Sequence, residues 1–254
     1  MFKKSKKFAF TLADVLMALM IIGVIASITI PVTMAHVRRT EIENRLEQTY
    51  SILNNALTRS VADNGPIDTW EEMKMTESSQ GVSFFQTYLA PHLVFARELG
   101  KYTFEEMGYT SDIKKPNGDS VFSSPVTGTG KKITMLALNN GTSISNFGSW
   151  LFTMKDGTKQ YYAVNYLIDV NGPKGPNVMG RDAFFFKLVL IGDDKRFKLA
   201  GDTKEKIYYA DNRTEIIKTT REEIMEDCKT EGDYCGALIQ QNGWKVPKDY
   251  PLRI

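Results

Sequence analysis

The sequence predicts an α+β protein in which a long N-terminal helix, first apolar and then amphipathic, packs on an antiparallel β-sheet. Three observations lead there. Residues 15–30 carry no charge at all. Beyond them Ile42, Leu46, Tyr50, Leu53, Leu57 and Val61 recur at helical spacing and form one apolar stripe. From Ile133 onward, short runs rich in β-branched and aromatic residues alternate with turn residues. A chain of 254 residues is long enough for one domain with a real core.

The first element begins after four lysines, Lys3, Lys4, Lys6 and Lys7. Counting from Phe10 to Ile30 gives about 21 residues, enough to cross a hydrocarbon layer of ~30 Å as a helix. One carboxylate, Asp14, interrupts the apolar run near its start. The lysines lie on one side only, which keeps the N-terminus in the cytoplasm and places everything after Pro31 outside. The helical pattern does not stop at Pro31. It continues to Ala62, where Asp63-Asn64-Gly65-Pro66 ends it, glycine suiting a left-handed cap and proline unable to continue. A helix from Phe10 to Ala62 would measure ~80 Å at 1.5 Å per residue, with Gly23 and Pro31 as its bending points.

Residues 67–130 read as an insertion between helix and sheet, with short helices at Trp70–Met73 and at Ser83–Leu89, the latter stopped by Pro91. The strands expected next are Ile133–Leu138, Ser143–Phe147, Trp150–Met154, Tyr161–Val170, Phe184–Ile191 and Arg196–Leu199. Asn139-Asn140-Gly141 and Lys155-Asp156-Gly157 are the tight turns that make the sheet antiparallel. A last helix at Arg221–Asp227 opens on a capping box, Thr220 with Glu223. The organisation expected is residues 1–9 as a leader, 10–31 and 32–65 as the two halves of the long helix, and 66–254 as a globular α+β head.

The N-terminal residues resemble those of type IV pilins and type II secretion pseudopilins. The shared pattern is a short basic leader, a small residue, an aromatic, Thr-Leu, an acid at the fifth mature position and an apolar helix. Here these are Met1 to Ala9, then Phe10, Thr11-Leu12 and Asp14, with Pro31 where the family often bends. The family usually has glycine before the cut and glutamate at the fifth position, where this chain has Ala9 and Asp14. The resemblance implies cleavage between Ala9 and Phe10 by a prepilin peptidase, N-methylation of Phe10, and a single-pass precursor in the cytoplasmic membrane. It further implies assembly with other pilin or pseudopilin subunits on an inner-membrane platform into an extracytoplasmic filament, Asp14 acting in subunit assembly. Two other readings of the stretch are a plain membrane anchor carrying a binding domain, and a secretory signal cut near Thr33-Met34-Ala35.

Cys228 and Cys235 are the two cysteines. In a chain whose C-terminal part lies outside the membrane they are expected to pair, two free thiols being the alternative. A C-terminal disulfide loop also accords with the pilin resemblance. The Gly- and Pro-rich loop from Asp169 to Asp182 offers oxygens from Asp169, Asn171, Asn177 and Asp182, as a calcium site would, and the family prompts that reading. Lys174 and Arg181 oppose it, and a string of Asx turns explains the same residues. No other cofactor is expected. A net charge of +2 with acids and bases interspersed gives no basic patch for nucleic acid, and none is expected as a partner. The two histidines, His36 and His92, lie far apart, and no nucleophile elbow, zinc-protease or phosphate-loop motif occurs, so no enzymatic activity is expected.

Overall fold

The structure, a computed structural model, describes residues 11–70, 80–153, 160–189, 197–199, 206–210, 213–217 and 220–254. Helix α1 spans Leu12–Asn64. Gly65, at φ +81°, ends it in the left-handed conformation that glycine adopts without strain, its N–H bonding the carbonyl of Val61 at 3.0 Å. Pro31 lies inside the helix without ending it. Its missing N–H leaves the Ser27 carbonyl without the usual partner, while the Thr29 and Thr33 hydroxyls donate to the carbonyls of Ile25 and Thr29. The chain divides into two compact units, Met1–Thr40 and Glu41–Ile254.

In the second unit the expected stripe is the buried face of α1. Ile42, Leu46, Leu53 and Leu57 are buried, and Tyr50 and Val61 pack partly buried against the same core. Ala56, Thr49 and Ser60 share that face, where small residues allow close approach. Six strands form one antiparallel sheet in sequential order: β1 Phe95–Tyr102, β2 Ile133–Leu138, β3 Ser143–Thr153, β4 Gln160–Asp169, β5 Ala183–Val189 and β6 Phe197–Leu199. A separate hairpin pairs β7 Lys206–Ala210 with β8 Arg213–Ile217. The α+β class stands.

Alternation along the strands splits the side chains between two cores. Leu136, Val164, Tyr166, Ile168, Phe184 and Phe186 join the α1 stripe in the larger one. Met135, Leu167 and Ala183 point the other way, into a second cluster completed by Phe104, Tyr109, Ile113 and Val126. Residues 103–126 therefore cover the second face of the sheet. The segment expected to be an insertion belongs to the fold, and it also supplies edge strand β1. β1 pairs only with β2, and its exposed positions tolerate Arg97, Glu98 and Lys101. Charged side chains and two register shifts on such an edge discourage pairing with another chain.

Other boundaries moved as well. The two strands expected at Ser143–Phe147 and Trp150–Met154 are one, β3, whose register shifts between Ser145 and Gly148 with Asn146 at φ +52°. That bulge reads in sequence as a break. Before β1, helical turns run from α2, Gln80–Phe84, through a wider turn at Phe85–Leu89 to a tight one at Ala90–His92. Trp70 stacks on Tyr88 with ring centres 4.0 Å apart. Helix α3, Arg221–Thr230, starts at the expected capping box: the Thr220 hydroxyl accepts the Glu223 N–H, and the Glu223 carboxylate accepts the Thr220 N–H. Helix α4, Cys235–Gln241, was not expected. Residues 71–73, Met154 and the turn Lys155-Asp156-Gly157 lie outside the described residues.

Candidate functional site

Ala9 and Phe10, the expected cleavage and methylation positions, lie outside the described residues. The described part of the N-terminal unit begins at Thr11, and Thr11 with Asp14 caps helix α1. The Asp14 carboxylate accepts the Thr11 N–H at 2.9 Å and the Thr11 hydroxyl at 2.7 Å, while the Asp14 N–H donates to the Thr11 hydroxyl at 3.2 Å. The pair is a reciprocal cap that satisfies donors otherwise orphaned at a helix start. It places an anion where the helix dipole favours one. Sequence reasoning noticed Asp14 and missed this partner, although Thr followed three residues later by an acid is a recognisable cap pattern.

Beyond the cap, the first half of α1 carries large apolar side chains on every side. From Leu12 to Val37 its large hydrophobic side chains are exposed, between 46% at Val15 and 78% at Leu12. The helix is long and apolar enough to cross a membrane. In water each such side chain forfeits roughly 1.5–3 kcal/mol that burial would return. A segment like this is stable only where lipid or other protein covers it.

The calcium candidates do come together, and the structure shows what their oxygens do. Asp169 is 1% exposed and accepts the Tyr109 hydroxyl at 2.9 Å and the Asn171 N–H at 3.3 Å. Asp182 accepts the N–H groups of Asn177 at 2.9 Å and Val178 at 2.8 Å. Asn177 Oδ1 accepts the Gly175 N–H, and the Asn171 amide donates to the Gly175 carbonyl. These are side-chain-to-backbone turns that fold the loop on itself, and they support the reading of the segment as structural. Burial, with the Asp182 charge adding to it, pushes the Asp169 carboxyl well above the usual carboxylate range; burial raises Asp182 too. Among the described residues no group of three or more His, Cys, Asp or Glu side chains is placed to hold a metal ion.

Cys228 and Cys235 form a disulfide that ties α3 to the start of α4. Gly180 packs directly on it: a Cβ at this position would sit 2.2 Å from Cys235 Sγ and 2.8 Å from Leu252 Cδ1. Beside the bridge, burial and then the Asp227 charge raise Asp233 to about 6, while Lys115 and Lys187 oppose that shift.

Two polar residues of α1, set by spacing off the apolar stripe, make contacts that the sequence does not foreshadow. Glu43, set off the apolar stripe by spacing, is buried, accepts the Val246 N–H at 2.8 Å and meets Lys245 at 3.1 Å. Arg45 donates to the Asn140 carbonyl at 2.8 Å and pairs with Glu41 at 2.9 Å. Both bind the globular unit to its own helix. Spacing could have flagged Glu43 only through its place beside Ile42.

A family described as "Family of unknown function (DUF6613)" matches residues 32–254, a span that leaves out the apolar run before it. No curated protein and no solved structure matches the chain.

Proposed function

The chain belongs to that family of unknown function, DUF6613, and we propose that it is a pilin-like subunit that enters a filament through its N-terminal helix. The precursor is cut before Phe10 and built into a fibre of the type IV pilus or type II secretion kind. One observation carries the reading. A helix with a complete set of exposed apolar side chains from Leu12 to Val37 opens on a single acid, Asp14, in a chain whose globular unit has closed its own core. Cleavage leaves a cationic amine at Phe10. In a low-dielectric layer that amine and a neighbouring subunit's Asp14 attract far more strongly than in water. Pairing neutralises both as the helix leaves lipid for the company of its copies.

A second reading rests on a different observation. The Thr11 cap already gives the Asp14 carboxylate two donors of its own helix, as an anchor that never polymerises would need. On that reading the chain is a membrane-anchored extracytoplasmic binding domain.

Mass spectrometry of the protein from its native host separates the two. The filament reading expects a mature chain beginning at N-methylated Phe10; an intact Met1 would overturn it. Asp14→Ala then tests assembly. The variant is expected to be processed normally and to be absent from sheared filaments, and recovery in filaments at the wild-type level would exclude the proposed role of Asp14.

A further inference from the structure

Within the globular unit, α1, the residues leading into β1 and the β2–β3 turn line a half-open cavity of about 410 Å³. Its floor is apolar, made by Ile52 and Ala56 of α1 with Leu93 and Leu138. Its walls are fixed to each other, since the Asn139 N–H donates to the Val94 carbonyl at 3.0 Å. Val94 itself stands at the rim, 70% exposed. Among the described residues it is the one large hydrophobic residue exposed outside the Leu12–Val37 run.

The rim is polar on the opposite side. Asn55 and Arg59 follow Ile52 and Ala56 on the same face of the helix, three and seven residues along from Ile52, and Asn139 faces them from the turn. None of these three side chains makes a hydrogen bond or ion pair with another described residue. His92, also at the rim, has Asp63 at 3.8 Å. Among the described residues that leaves the Arg59 guanidinium as the cation without a partner at this site, with two amides beside it.

We propose that this cavity binds a small monocarboxylate with an apolar body, the carboxylate on Arg59 and the apolar chain against Ile52, Ala56, Leu93 and Leu138. The volume falls in the range of small-molecule sites, which are mostly apolar with a few polar groups that fix orientation. A planar guanidinium matches a carboxylate in two parallel hydrogen bonds. A single cation balances a single charge, so a phosphate dianion would be left half compensated. An alkylammonium ion would meet Arg59 as a like charge. The site is independent of the filament reading and is expected whether or not the chain polymerises.

The test uses octanoate and the full chain in lipid nanodiscs, with empty nanodiscs to subtract partitioning into lipid. Saturation-transfer NMR is expected to show octanoate bound, with octylamine failing to displace it. Arg59→Gln, at an exposed position that leaves the fold intact, is expected to weaken binding about tenfold. Asn55→Trp, which closes the mouth from the rim, is expected to abolish it. Equal binding by wild type and Arg59→Gln, displacement by octylamine, or no signal above empty nanodiscs would each overturn the proposal.

Discussion

Helix α1 contains two halves that obey opposite rules. From Leu12 to Val37 large apolar side chains face every side of it and are exposed, whereas from Ile42 to Val61 a single stripe is apolar and buried. The second half is an ordinary amphipathic helix whose stability comes from the sheet it covers. Among the described residues nothing covers the first half, and its composition suits lipid or the apolar surface of another protein. Matched substitutions in the two halves therefore separate what holds the globular unit together from what serves the apolar segment.

The largest contrast is expected from leucines. Leu53 is fully buried and Leu19 is 60% exposed. Leu53→Ala should cost about 2–5 kcal/mol of the globular unit's stability through lost burial and a cavity, read as a lower urea midpoint. Leu19→Ala should leave that midpoint unchanged. A shift of similar size for both would mean that the halves fold as one.

Glycines give the next contrast. Gly180, at φ +77°, has no room for a Cβ against the disulfide and Leu252, whereas nothing lies within 4 Å of a Cβ at Gly23. Gly180→Ala is expected to destabilise by roughly 1–3 kcal/mol, through overpacking and backbone strain. Gly23→Ala should leave the globular unit's melting temperature unmoved, the added methyl favouring the helix by up to about 1 kcal/mol.

Two acids of α1, Glu43 and Asp14, sharpen the comparison further. Glu43→Ala removes a buried acceptor of the Val246 N–H and is expected to cost roughly 1–3 kcal/mol, most of it recovered in Glu43→Gln, which keeps an acceptor. Asp14→Ala should not change thermal unfolding of the globular unit, its effect being confined to assembly.

The smallest effect expected is one of pH, and it belongs to the globular unit alone. The folded state holds Asp233 at about 6, above the ordinary aspartate range, so the fold favours the neutral acid. That contribution to stability is present below the unfolded value and is lost as pH rises through about 6. Asp169 and Asp182 shift in the same direction and add to the slope. Asp233→Asn should flatten the decline between about pH 4 and pH 6, and should raise stability at pH 7 by roughly 1 kcal/mol after solvent screening. Denaturant midpoints of both proteins across that range would show it, and an unchanged slope would remove Asp233 from the account.

Elements with strong local signals are legible in the sequence itself. The α1 stripe, β2, β4 and the Thr220 capping box follow from periodicity, alternation and one side-chain-to-backbone exchange. β1 was not legible, because Arg97, Glu98 and Lys101 are tolerated only on an edge strand, and being on an edge is a property of the sheet. β3 looked like two strands because Asn146 and Gly148 make a bulge that only the partner strand keeps in register. In the loop from Asp169 to Asp182 the oxygen-bearing residues are legible in the sequence, but which donors their oxygens face depends on Tyr109 and on the turns between Gly175 and Val178.

What the sequence determined by itself is the helix with its two characters, the antiparallel sheet and the proximity of the cysteines, since each rests on contacts or solvation over a few consecutive residues. What the tertiary structure decided is the second core under residues 103–126, the burial of Glu43, the packing of Gly180 on the disulfide and the cavity beside Arg59. Those depend on residues from distant parts of the chain arriving at one place, and no local pattern records where a side chain's partners come from.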